Sequence, residues 1–430
     1  MYMDKGSEDF ILKGTVVYNL NSNEGYARDN SYVICVGGKS RGVFEEIPEK
    51  YRGLSIVDYK DKLIIPGMTD LHLHAPQYTF RGTGMDCELM EWLDRYTFPE
   101  ESKYSDIGYA DIAYSIFTED LKRTTTTRAA CFATIHREAT KLLMDKLEDT
   151  GLISYVGLVC MNRNCPESLR QKSAKEAMAE VTRWLSETEG LYKNTYPIIT
   201  PRFAPSCSDD LLKKLGALQA EIGIPVQSHL SENLGEIEFV KELFPWSEFY
   251  GEVYDRFGLF GGDNCKTIMA HCVHCSEREA ELLKERGVYI AHCPDSNANL
   301  TSGVAPVRRY LRDNMNIGLG SDVSGGAVLS LLNVMGETIR DSKLLYRLKD
   351  DSLKPVSVWE SLYMATIGGG KFFGKVGSFE KGYEFDAVIL DDSSYKTPKK
   401  LTPIERLERL LYIGSSGDTL HKYVRGKQIL

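Results

Sequence analysis

The stretch Ile64-Ile65-Pro66-Gly67-Met68-Thr69-Asp70-Leu71-His72-Leu73-His74-Ala75-Pro76-Gln77 decides how the rest of the chain is read. A β-strand sends alternate side chains to opposite faces, so Asp70, His72 and His74 share one face and Leu71 and Leu73 the other. Two histidines two residues apart on a strand supply half of a metal site. Taken alone, the pair fits an incidental feature of a surface strand equally well. Single metal-ligand types at the ends of later strands tip the balance.

Working outward, apolar strand-like runs at 70–74, 129–135, 155–161, 198–203, 225–229, 267–271, 288–292 and 317–322 alternate with helical patterns. The helical patterns fall at 106–121, 138–147, 173–185, 209–221, 234–243, 277–285 and 306–312. That alternation is the mark of βα units on a parallel sheet, and eight of them predict an α/β chain closed into a (β/α)8 barrel of the TIM type. The two ends read differently. Short β-branched runs at 12–18, 31–38 and 55–59, and again at 385–390 and 422–429, carry too little apolar surface to stand alone. They are expected to pack together as one small discontinuous β-domain, built from 1–65 and 377–430 around a barrel spanning 66–376.

The chain has 430 residues, 42% of them hydrophobic, and a net charge of -9, which speaks against nucleic-acid or acidic-membrane partners and for a small-molecule substrate. Residues 1–9 are polar and acidic without a secretory pattern, and no run approaches the length of a membrane-spanning helix. Ten cysteines form no framework, and Cys131, Cys160, Cys272 and Cys293 lie in apolar runs, as expected of a cytoplasmic protein. Cys272-Val273-His274-Cys275 with His136-Arg137-Glu138 imitates the zinc signature of cytidine-type deaminases, but His271 stands where that signature has proline. Core thiols beside a strand end are the better reading.

In such barrels chemistry gathers at the C-terminal ends of the strands. His72 and His74 close the first strand, His229 the fifth, His271 the sixth, His292 the seventh and Asp322 the eighth, in a chain with eight histidines. His72, His74, His229 and Asp322 offer three imidazoles and a carboxylate with an open position for water, a donor set for zinc that iron(II) also suits. The fourth strand end, Thr200-Pro201-Arg202-Phe203-Ala204-Pro205, holds no lysine to bridge a second ion, so one metal per subunit is expected. His271 then serves from behind the metal ligands. Glu232, three residues beyond His229, is placed to carry protons. Bringing the pKa of water from about 15.7 to about 7 corresponds to roughly 12 kcal/mol, and positioned proton transfer adds about 3 to 5 kcal/mol.

The segments 66–78, 91–100, 132–136, 200–203, 228–233, 292–294 and 318–323 resemble the guanine deaminase branch of the amidohydrolase superfamily. The Pro-Gly-x-x-Asp-x-His-x-His run is general to the superfamily; 91–100 and 200–203 point to guanine. The resemblance implies a distorted barrel with a β-sandwich from both termini, one zinc, a homodimer, and hydrolysis of guanine to xanthine and ammonia. It implies that His72, His74, His229 and Asp322 bind the metal, with Asp322 also helping to deprotonate water. Glu232 shuttles the proton and His271 assists. Gln77, Arg202 and the backbone around Phe203 hold the purine beside His229. Two segments depart from the pattern, Arg123-Thr124-Thr125-Thr126-Thr127-Arg128 and His292-Cys293-Pro294-Asp295-Ser296-Asn297, and neither removes a ligand.

Arg202 offers only donors, which match the O6 and N7 acceptors of guanine and meet the amino group of adenine badly. Its alternative reading is a rim salt bridge. Trp92 and Phe203 are candidates to stack on the purine faces. Two rivals stand beside this reading: an aminohydrolase of the same superfamily acting on a pterin, adenosine derivative or triazine, and a non-catalytic barrel scaffold, which tends to shed metal ligands.

Overall fold

The structure, a computed structural model, describes residues 9–430; the first eight residues, most of the polar N-terminal run, lie outside the described residues. Four strands open the chain: β1 (Phe10–Asn19), β2 (Gly25–Val36), β3 (Lys39–Phe44) and β4 (Ser55–Pro66). The barrel strands follow as β5 (Met68–His74), β6 (Thr126–Phe132), β7 (Ile153–Gly157), β8 (Val159–Cys160), β9 (Thr195–Pro197), β10 (Thr200–Pro201), β11 (Val226–Leu230), β12 (Thr267–His271), β13 (Tyr289–His292) and β14 (Asn316–Leu319). The C-terminal segment adds β15 (Ala387–Leu390), β16 (Thr419–Val424) and β17 (Lys427–Gln428).

β11, β12, β13, β14, β5, β6, β7 and β9 form a parallel eight-stranded sheet in that order. The sheet closes at its fourth stave, where Ile199 bridges Val226 and exchanges backbone hydrogen bonds of 2.9 Å with Pro225 and Gln227. That stave comes as two short pieces, β9 and β10, rather than the continuous run expected from 198–203. Pro197 and Pro201 lack the N–H a ladder needs, so the pairing shifts from β7 to β8 partway along. The eighth stave also ends early, at Leu319, and leaves Asp322 in the loop beyond it.

β5 departs from strict alternation. Asp70 pairs with Ala129 but Leu73 pairs with Cys131, so β5 carries one extra residue across that interval. The expectation that Leu71 and Leu73 share a face is therefore corrected: Leu71 packs in the small cluster with Ala130, Ile268, Ala270 and Ala291, while Leu73 joins the large outer core.

The terminal segments make one seven-stranded sheet in the order β17, β16, β15, β4, β1, β2, β3. Period-two patterning divides its sides. Leu63, Ile65, Val388 and Leu390 join the barrel's core, and Ile64, Ala387 and Ile389 pack with Phe10, Leu12, Phe379 and Phe385. Arg128, buried on β6, pairs with Asp386 and Glu384 at 2.7 Å each, and buried Lys422 donates to the Thr126 carbonyl at 2.7 Å. These contacts tie the terminal sheet to the barrel. Removing one partner of such a buried pair costs about 3–5 kcal/mol.

The long outer helices start where side-chain caps satisfy their first N–H groups: Asp106 caps Ile107–Arg123, Ser173 caps Ala174–Thr188 and Ser208 caps Asp209–Ile222. Helix Leu331–Leu348, which the sequence reading leaves unassigned, is capped by Ser330. No helix among the described residues is long and apolar enough to cross a membrane.

Candidate active site

Six of the sequence-derived residues converge at one rim of the barrel. Nε2 of His72 lies 3.1 Å and Nε2 of His74 3.5 Å from Oδ1 of Asp322. The Nε2 atoms of His74 and His229 are 3.1 Å apart. Nε2 of His271 is 3.3 Å from Oε2 of Glu232 and 3.7 Å from Oδ2 of Asp322. The backbone fixes these positions, since Asp322 N–H donates to the His72 carbonyl at 2.8 Å and His74 N–H to the Val323 carbonyl at 2.9 Å. Asp70, on the same strand, joins none of the donor clusters among the described residues and accepts from Ser321 N–H at 3.0 Å and from His72 N–H at 3.3 Å; burial pushes its carboxyl up to about 7.

Four residues at these strand ends hold left-handed backbones, Ser231 at φ 46°, His271 at φ 73°, Cys272 at φ 51° and Asp322 at φ 46°. Such conformations cost about 1–3 kcal/mol each and persist where the surroundings over-determine them. Here they turn the chain so that consecutive loop residues face the rim.

The protons decide what the cluster can hold. His229 Nδ1 sits 2.6 Å from the Arg202 carbonyl and His271 Nδ1 2.9 Å from Oδ1 of Asn297. Both ring N–H groups point at acceptors behind the site, which turns the bare Nε2 lone pairs inward. Burial, then the neighbouring imidazoles, holds His72, His74 and His229 well below the ordinary histidine pKa, so they are neutral. Both ring nitrogens of His72 and Nδ1 of His74 are buried without a hydrogen-bond partner. Donor atoms of His72, His74 and Asp322 lie within 4.8 Å of one another, as do those of His72, His229 and His271. Buried donor atoms crowded this closely, several of them with no hydrogen-bond partner, fit a cation. Phe132 stands against His72, His74 and His229 with ring centroids 4.7–5.0 Å away and keeps that side apolar.

Glu232 enters from the loop after β11. Its Oε1 accepts from Ser302 Oγ at 3.2 Å, and its backbone N–H donates to Glu236 at 3.1 Å. Burial, reinforced by Asp322, holds the Glu232 carboxyl well above the usual range. A carboxyl kept ready to hold a proton beside histidine lone pairs is suited to proton transfer.

A cavity opens beside this ring and is lined by Gln77, Trp92, Arg202 and Phe203 together with His74, His229, Glu232, His271 and Asp322. One wall is the helical segment after β5, where Leu89–Trp92 runs into a π-turn, Leu93–Thr97, and then Phe98–Glu101. π-turns of this kind recur at functional sites. Arg202 is not free: Nη1 donates to Glu101 Oε2 at 2.6 Å, with both side chains buried, and the guanidinium lies 5.3 Å over the Phe98 ring. Arg202 therefore meets both of its expected roles, an ion pair and part of the cavity wall. Nε1 of Trp92 is buried without a partner.

His292 stays apart. It is buried with neither ring nitrogen partnered and joins no donor cluster among the described residues; burial lowers its pKa to about 3. His136 and Cys275 belong to no donor cluster either. Sequence reasoning missed Glu101, Asn297 and Ser302, whose partners lie 101, 26 and 70 residues away.

Residues 63–429 match the model of the amidohydrolase family. The chain belongs to the amidohydrolase family. Within the amidohydrolases it falls among the guanine deaminases: it is 36% identical to guanine deaminase of Dictyostelium discoideum, covering 97% of this chain and 98% of that one. It is 32% identical to guanine deaminase of Escherichia coli (strain K12), covering 89% and 86%. Among solved structures, guanine deaminase from C. acetobutylicum with guanine bound in its active site superposes with a TM-score of 0.95 at 44% identity, covering 98% of this chain and all of that one. As an amidohydrolase of this branch, the chain is a metal-dependent hydrolase built on a TIM-type barrel.

Proposed function

We propose that the site hydrolyses guanine to xanthine and ammonia with one zinc ion per subunit held by His72, His74, His229 and Asp322. The observation that carries this reading is the crowding of metal-donor atoms at the mouth of a cavity whose polar wall carries Arg202 and Gln77. When bound, the metal lowers the pKa of water toward about 7 and so makes a nucleophile available at neutral pH.

The chain's own residues do the rest. Arg202 and Gln77 direct N–H groups at the acceptor edge of the base, while Trp92 and Phe203 cover its faces and exclude water. Asp322 and His271 orient the attacking water through their lone pairs, with His271 held by Asn297. As the water oxygen adds to C2, Glu232 takes up a proton and delivers it to a ring nitrogen. The amino group then leaves as ammonia once a further proton has reached it through Glu232. One water enters and one ammonia leaves, so the atoms balance.

Ten unpaired cysteines suit a reducing cytoplasm, and kinship with the guanine deaminases suggests a homodimer, which sedimentation would check. The substrate test compares ammonia release from guanine, adenosine, a pterin and an amino-triazine. Guanine is expected to dominate by at least about 10⁴, because a buried donor left unmatched discriminates strongly. Comparable turnover of another amino-heterocycle would overturn the assignment.

A further inference from the structure

A buried carboxylate with no part in the metal site or the proton path stands behind the base-facing wall. Glu101 is 1% exposed and belongs to none of the metal-facing groups. Its two oxygens are divided: Oε2 accepts from Arg202 Nη1 at 2.6 Å, and Oε1 accepts from Gln77 Nε2 at 2.8 Å. On its other side, Gln77 Oε1 accepts from Ser324 N–H at 3.4 Å. Arg202 and Gln77 both line the cavity, so one carboxylate holds two wall residues that come from different strand ends.

An ionised carboxylate can only accept. It therefore settles the amide of Gln77 with nitrogen toward Glu101, leaving that nitrogen's second N–H for the cavity. The opposite orientation would set Oε1 against an anion and the amide nitrogen against the Ser324 N–H. The same carboxylate offsets the charge of Arg202, so the wall offers directed N–H groups without a net positive charge. Among the described residues the guanidinium donates to no other side chain, which leaves further N–H groups for a ligand. Phe98, three residues before Glu101 on the same helical turn, supports the other side of that guanidinium.

We propose that Glu101 is a positioning residue that sets specificity for the acceptor edge of the base, by holding Gln77 and Arg202 in their donor orientations. The proposal rests on the guanine reading. It predicts that Glu101 matters more for bases that carry the C6 carbonyl than for bases that lack it and keep only the N7 acceptor on that edge. 2-Aminopurine keeps the C2 amino group and has hydrogen at C6, so it reports the difference without changing the reaction.

The test is Glu101→Gln in the zinc-loaded full chain, with kcat and KM measured for guanine and 2-aminopurine and metal content on the same preparation. A glutamine presents one acceptor and one donor, so one of the two partners must turn away. The ratio of kcat/KM for guanine over 2-aminopurine should fall by about tenfold or more, the loss of a single charged hydrogen bond, with a smaller loss on 2-aminopurine and zinc content unchanged. Equal losses on both bases, with the ratio of the parent, would overturn the proposal and leave Glu101 as a structural anion.

If Glu101→Gln does not yield soluble protein, Glu101→Asp separates charge from reach. It keeps the anion, yet is one methylene too short to hold both partners. A fall in the guanine to 2-aminopurine ratio supports positioning, and a parental ratio overturns it. A parent protein inert on guanine would instead sink the guanine reading and this proposal with it. A selective parent with an unselective Glu101→Gln variant supports both.

Discussion

The two sides of the cavity are built on opposite electrostatic principles. On the metal side, neutral imidazoles and a carboxylate leave their lone pairs facing one another, with protons directed backward to Arg202 and Asn297. On the base side, Glu101 already holds one N–H each of Arg202 and Gln77, so those two groups are aimed before any ligand arrives. The first arrangement is suited to a cation; the second is held by its own carboxylate and keeps further N–H groups for a ligand. Substitutions on the metal side should therefore abolish binding or chemistry outright, whereas those on the base side should grade affinity and selectivity.

The sharpest break comes from His74→Ala. It removes a donor from the ring and should cost both zinc, measured by elemental analysis, and all turnover. Glu232→Gln comes next and separates chemistry from coordination: zinc content should hold while kcat falls by about 10²–10⁴. Retained xanthine formation in that variant would remove Glu232 from the proton path.

His292 belongs to neither side, and it tests whether burial alone sets the acid limit of the fold. Its pKa is about 3 in the folded chain against 6.5 when exposed, so the unfolded chain binds the extra proton first. The stability this contributes is fully present above about pH 6.5 and is lost as pH falls toward 3, up to roughly 2–5 kcal/mol. His292→Phe should flatten that limb in denaturant titrations at successive pH values.

Arg202→Lys keeps the charge and loses the planar fork, so kcat/KM for guanine should drop by about 10- to 100-fold with zinc unchanged. Trp92→Phe should have the smallest effect, about 0.5–1.5 kcal/mol of transition-state stabilisation, seen mainly in KM. Zinc loss in either of these base-side variants would erase the division between the two sides.

The metal side was legible in the sequence because its information is local. Histidines spaced by two on a strand, and single ligands at strand ends, follow from period and position, and the alternation of strand-like and helical runs places seven of the eight expected staves on strands of the parallel sheet, the fourth, 198–203, falling on β10 rather than β9. Details set by pairing were not. The extra residue in β5 that parts Leu71 from Leu73 exists only relative to β6, and the break in the fourth stave depends on where β9 gives way to β10. On the base side, Glu101 follows Glu100 with no spacing that singles it out. Its partner Arg202 lies 101 residues away, and only the folded barrel brings the two to 2.6 Å. Arg202 was visible as a donor, yet the carboxylate that aims it was not.

The central claim is that the ring of His72, His74, His229 and Asp322 takes one cation and that guanine hydrolysis depends on it. Titrating zinc into metal-free protein while following xanthine formation tests this most directly. Activity should rise linearly and saturate at one equivalent per chain. Full activity before any zinc is added, or saturation only at two equivalents, would contradict it.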